Sequence, residues 1–176
     1  MRHELDADRV RELLRALGRA ARGAGRIYLT GGTTAVLEGW RASTVDADLK
    51  LDPEPAGIFE AIRRIKDELG VNVELASPED FIPALPGWRD RSRFIERHGP
   101  IDFFHYDLYA QALSKIERGY DRDIADAHEM IRRDLVDPAE LRRLFGEIEP
   151  ALIRYPAIDA DVFRRKVEAF LGEVPE

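Results

Sequence analysis

Cysteine is absent from the 176 residues, which removes disulfide staples, thiolate metal sites and cysteine nucleophiles together. Long apolar runs are missing as well. No stretch approaches the roughly 20 residues that span a bilayer, and the opening MRHELDADRVREL lacks the apolar centre of a secretory signal. A soluble, cytoplasmic protein without membrane association is expected. No glycine loop is followed by Lys-Ser or Lys-Thr, so there is no P-loop, and LTGGTT has no third glycine for a dinucleotide fingerprint. Positive charge is in deficit: the formal net charge is -7, which opposes non-specific nucleic-acid binding. A small anionic ligand would then need a cation to mediate it.

What is present suffices for a core. Hydrophobic residues make up 44%, and the length fits one domain over 1–176. Within it the pattern predicts a sheet core over 24–107 and a helical segment over 108–176. Val10, Leu13, Leu14, Leu17 and Ala21 recur at helical spacing before Gly23 and Gly25. RIYLTGG then reads as a strand ending at glycine, TTAVLEGW as a short helix, and TVDADLKLD as a second strand by its alternation. Ile58, Phe59, Ile62, Ile65 and Leu69 predict a helix closed by Gly70, VNVELAS a third strand, and SRFIERHGPIDFFHYD a hairpin turning at Gly99 and Pro100. Beyond Tyr106 the period is helical, with Gly119 or Asp121 as a possible break, Asp137 before Pro138 as an N-cap, and Asp159 capping a last helix.

The stretch LTGGTTAVLEGWRASTVDADLKLD combines two weak signals in order. Asp46 and Asp48 are two apart, so on a strand both leave one face, roughly 6.5 to 7 Å apart at the backbone, where hard carboxylate oxygens suit magnesium. Gly31 and Gly32 lack a β-carbon, so phosphate oxygens can approach their backbone beside the start of a helix. Thr33 and Thr34 add hydroxyl donors. Taken singly, a Gly-Gly turn and an Asp-x-Asp strand are ordinary structure.

Together they resemble the DNA polymerase β-like nucleotidyltransferase superfamily, whose order is Gly-Gly or Gly-Ser, one short helix, then Asp-x-Asp on the next strand. Arg41 and Thr44, in RASTVDAD, resemble the variant in uncharacterised bacterial nucleotidyltransferase-like proteins related to AbiEii-type toxins. The resemblance runs from about Tyr28 to Tyr155. It implies an α/β nucleotidyltransferase fold, a small mixed sheet packed by helices with a helical C-terminal segment. It also implies a nucleoside triphosphate substrate, Mg2+ on Asp46 and Asp48, and a triphosphate contacted by Gly31, Gly32, Thr33, Thr34, Arg41 and Thr44. The resemblance also implies a third carboxylate from a later strand that completes the metal site or takes a proton from the acceptor hydroxyl: Glu74, which alternation frees to face the acidic pair, or Asp102.

SKIERGYDRDIADAHEM places Lys115, Arg118, Arg122 and Asp126 at helical spacing if one helix continues through Gly119. This resembles a later AbiEii-type motif, in which Lys115 would neutralise triphosphate charge while Asp123 or Asp126 orients Lys115 or a neighbouring arginine. The plain alternative is a solubilising charged face. Arg89, Arg91, Arg93 and Arg97 around Trp88 offer an anion or RNA surface, or a structural loop with a partly buried tryptophan. His98, His105 and Asp107 lack a zinc spacing.

The expected activity is therefore metal-dependent transfer of a nucleoside monophosphate from an NTP to an unknown hydroxyl acceptor: a small molecule, a protein or an RNA. The alternative is a catalytically inactive relative that binds nucleotide or a protein partner in a toxin-antitoxin-type system. A phosphohydrolase using the same carboxylates on water is a third.

Overall fold

The computed structural model describes residues 2–175, which form two compact units. The sheet unit comprises residues 2–77 with 92–106, and the helical unit 78–91 with 107–175.

In the sheet unit the elements are α1 (Ala7–Ala20), β1 (Gly25–Thr30), α2 (Gly32–Glu38), β2 (Asp46–Leu51), α3 (Ile58–Leu69), β3 (Asn72–Leu75), β4 (Arg93–His98) and β5 (Ile101–His105). The strands form one mixed sheet of order β3-β2-β1-β5-β4. β1 runs antiparallel to β2 and parallel to β5, β2 is parallel to β3, and β4 and β5 form the expected hairpin, with a bulge between Phe94 and Glu96. The expected α/β class, mixed sheet and helical C-terminus are all observed.

Period-two alternation sorts the strand residues between the two sheet faces. Ile27, Leu29, Ala47, Leu49, Val73, Ile101 and Phe103 are buried in one apolar cluster with side chains from α1, α2 and α3. Helix α1 contributes Val10, Leu13, Leu14 and Leu17 to it, each fully buried, and each such burial stabilises by roughly 1.5–3 kcal/mol. Asp6 caps this helix by accepting a hydrogen bond from the Arg9 amide at 2.8 Å. The opposite sheet face carries the residues between these: Tyr28 and Thr30 on β1, Asp46, Asp48 and Lys50 on β2, Asn72 and Glu74 on β3.

The helical unit contains α4 (Trp88–Arg91), α5 (Leu108–Arg118), α6 (Asp121–Arg132), α7 (Pro138–Ile148) and α8 (Ala160–Glu173), with α5 packed by α6, α7 and α8. The helical run breaks at Gly119, whose φ of 76° is left-handed and favours glycine. No single helix carries a stripe from Lys115 to Asp126; the chain folds back instead. Asp137 and Asp159 cap α7 and α8 as expected. No helix among the described residues is long and apolar enough to cross a membrane.

Candidate functional site

The glycine turn lies where β1 passes into α2. Gly31 has φ 66° and ψ -130°, a conformation open essentially to glycine alone. A β-carbon there would stand 3.1 Å from Asp48 Oδ2, so the Asp48 carboxylate lies directly against the turn. At Gly32 a β-carbon would overlap the Thr44 hydroxyl and stand 2.6 Å from Thr44 Cβ and 3.1 Å from an Arg41 guanidinium nitrogen. Thr44 is itself fastened: it pairs with Leu5 in an isolated antiparallel bridge, and its hydroxyl donates to the Asp46 carbonyl at 3.3 Å. Glycine at both positions thus allows a cation, a hydroxyl and a carboxylate to crowd one stretch of bare backbone.

Strand register supplies the acidic row. Asp48 pairs with Thr30 on one side and with Glu74 on the other, while Asp46 pairs with Asn72. Register partners on adjacent strands share a face about 4.8 Å apart, so Glu74 is the carboxylate that stands across the strand pair from Asp48. The Asn72 amide donates to Asp46 Oδ1 at 2.5 Å and to Glu74 Oε1 at 3.1 Å, linking two of the carboxylates. Asp102 lies two strands from β2, opposite Arg26 and 3.7 Å from Arg97. Of the two candidates for the third carboxylate, Glu74 is therefore the one placed beside the acidic pair.

No group of three His, Asp or Glu side chains among the described residues could hold a metal alone. Magnesium usually takes one or two carboxylates and fills its shell with water and substrate phosphates. Asp46 and Asp48, with hard oxygen donors on one strand face beside the Gly31 backbone, fit that mode.

Thr33 and Thr34, expected as hydroxyl donors to phosphate, are fully buried. The Thr33 hydroxyl donates to the Thr30 carbonyl at 2.9 Å, and Thr34 Oγ1 lies 3.0 Å from His105 Nδ1. Both brace the turn from inside.

Sequence reasoning missed the part played by His105. It is 5% exposed, with Nε2 at 3.3 Å from Glu38 Oε1. A carboxylate only accepts, so the ring proton belongs on Nε2 and Nδ1 accepts from Thr34. Burial, then the Arg93 charge, lowers its pKa from 6.5 to about 4. Between those values the unfolded chain binds the proton and the folded chain does not, so stability falls as pH drops. Acidification from pH 6.5 to 4 should remove about 3 kcal/mol through this group. Urea unfolding across that range should show the extra slope in wild type and not in His105→Gln; equal slopes would refute it.

The remaining candidates belong to the helical unit or to β4. Lys115 is buried, its ammonium 2.8 Å from Asp126 Oδ2 and 3.7 Å from Asp123 Oδ1, while Arg118 lies 3.4 Å from Asp123. The pairing expected between Lys115 and Asp123 or Asp126 is present, across the α5–α6 turn. Trp88 is 5% exposed with the Arg89 guanidinium stacked on it at 4.4 Å, and Arg91 is engaged by Asp107. Arg93 and Arg97 sit on β4 near Glu38 and Asp102. The four arginines thus belong to separate local contacts.

A family model described as a nucleotidyltransferase of unknown function (DUF6036) matches residues 8–168. Neither the curated proteins nor the solved structures hold a match to the chain.

Proposed function

The chain belongs to the DUF6036 family of nucleotidyltransferases of unknown function, and on that footing we propose that it is a magnesium-dependent enzyme moving a nucleoside monophosphate from an NTP to a hydroxyl. The observation that carries this reading is the contact between the glycine turn and the acidic row, with Asp48 Oδ2 only 3.1 Å from where a Gly31 side chain would begin. The order of Gly-Gly, short helix and Asp-x-Asp supports placement in the DNA polymerase β-like superfamily. The Arg41 and Thr44 variant supports a place near AbiEii-type proteins.

In this reading Gly31 and Gly32 present bare backbone to the triphosphate, and Arg41 balances its charge from beside the turn. Thr33 and Thr34 hold the turn in shape. Asp46 and Asp48 hold the magnesium, with Asn72 keeping Asp46 and Glu74 in register. The bound ion would offset charge on the phosphates and polarise the α-phosphorus. Glu74, the neighbour of Asp48, takes the proton from the acceptor hydroxyl as that oxygen attacks and pyrophosphate leaves. Phosphoryl-type transfer asks the protein chiefly for positioning and charge balance, which short polar side chains on rigid strands provide. The acceptor is a hydroxyl of a small molecule, a protein or an RNA.

Calorimetric titration of ATP, GTP, CTP and UTP, with and without MgCl2, tests this on wild type and the Asp46→Asn/Asp48→Asn variant. Metal-dependent binding should weaken at least about tenfold in the variant. No binding of any triphosphate to folded wild type, or binding indifferent to metal and to the two aspartates, would refute the reading.

A further inference from the structure

We propose that His105 is a positioning residue of the nucleotide site, acting through α2 on the glycine turn; the inference rests on the nucleotide reading above. Its imidazole touches both ends of one seven-residue helix. Thr34, in the first turn of α2, meets Nδ1 at 3.0 Å, and Glu38, the last residue of α2, lies 3.3 Å from Nε2. The side chain comes from the last residue of β5, which pairs in parallel with Leu29 of β1, the strand that leads into Gly31.

This geometry has a specific consequence. A helix of two turns has little cooperative stability of its own, and α2 has no side-chain cap at its start. Its orientation is set by contacts from outside, and His105 supplies one at each end. An imidazole that is uncharged and singly protonated can donate to the Glu38 carboxylate from Nε2 and accept at Nδ1 from the Thr34 hydroxyl, whose oxygen also lies 3.3 Å from the Leu29 carbonyl oxygen, its other acceptor. Lysine or arginine could only donate, and an aliphatic side chain would leave the Thr34 hydroxyl and Glu38 without this partner. Arg93, the register partner of His105, stands 3.9 Å from the same Glu38 oxygen, Oε1, that His105 approaches. The direction of the Gly31 and Gly32 backbone, and with it the distance from the turn to Asp48, thus depends on a residue that never meets substrate.

A double-mutant cycle tests it. Dissociation constants for the magnesium complexes of ATP, GTP, CTP and UTP are measured on wild type, Thr34→Val, His105→Gln and the double variant, at a temperature where thermal scans show each folded. Each single change should weaken triphosphate binding by about tenfold. The double variant should be weakened by much less than the sum of the two single effects, because the Thr34–His105 contact is lost in both. Thr34→Ser, which keeps the hydroxyl, should stay within about threefold of wild type. If His105→Gln does not fold, the comparison of Thr34→Val with Thr34→Ser carries the test alone. Single variants that bind like wild type, or effects that add in full, overturn the positioning role while the nucleotide reading stands. Failure of wild type to bind any of the four triphosphates overturns both.

Discussion

Gly32→Ala is expected to weaken triphosphate binding by about tenfold or more, since each loss of about 1.4 kcal/mol of contact when the turn moves is tenfold in affinity. The added methyl would stand 2.6 Å from Thr44 Cβ and 3.1 Å from the Arg41 guanidinium. Arg41 can swing aside, but Thr44 cannot, because the backbone on both of its polar atoms is bridged to Leu5 at 2.7 and 2.9 Å. The turn itself must then retreat from Asp48. Overpacking of this kind costs about 1–3 kcal/mol of stability, so calorimetry on the folded variant is accompanied by thermal unfolding. Gly146→Ala is the control: in α7 an added methyl meets nothing within 4 Å, and alanine is the better helix former by about 1 kcal/mol. Wild-type affinity in Gly32→Ala would mean that the close approach of turn and Thr44 does not shape the site.

Arg91→Met is expected to cost the helical unit about 3–5 kcal/mol near neutral pH, the range found when one partner of a buried ion pair is removed. Asp107 is fully buried, caps α5 through the Tyr109 amide at 3.1 Å, and accepts two hydrogen bonds from Arg91 at 3.0 and 2.7 Å. Burial raises the carboxyl's pKa, while Arg91 and the amides of Tyr109 and Ala110 pull it back down. Without the guanidinium, burial acts with less opposition and the pKa rises further. A raised folded pKa means that the folded state holds more protons in that window, so stability is lost as pH rises through it. The penalty should therefore be larger at pH 8 than at pH 5, and denaturant unfolding at the two values reads it directly. A cost that is small, or equal at both, would show that Asp107 does not depend on Arg91.

Much of the architecture could be read from local pattern. Period-two runs marked the five strands, the 3.6-residue spacing marked α1 and α3, and Asp137, Asp159 and Gly70 marked helix ends, because each signal is contained within a few neighbouring residues. The Asp46 and Asp48 pair was legible for the same reason. Two residues apart on a strand, they must share a face wherever that strand is placed. His105 was not legible as a partner of Thr34, because 71 residues separate them and no local period reports which strands become neighbours.

Lys115 shows the limit from the other side. Its spacing to Asp126 allowed either a solubilising charged face on one continuous helix or a lysine held by an acidic partner; the turn at Gly119 folds α6 back and buries the ammonium between two carboxylates. Charge patterning does not reveal burial, since the same residues at the same intervals make a solvated face on one helix and an internal ion pair between two.

The chemistry offered, a bare glycine turn and two same-face aspartates, was determined by the sequence alone, because backbone sterics and strand alternation are local properties of the chain. Tertiary structure alone decided that Glu74 and not Asp102 stands beside them, that Asn72 ties Asp46 to Glu74, and that Thr44 and Arg41 close over Gly32. Those choices follow from sheet order and register, which are set by the burial of the whole apolar face and cannot be read from any one segment.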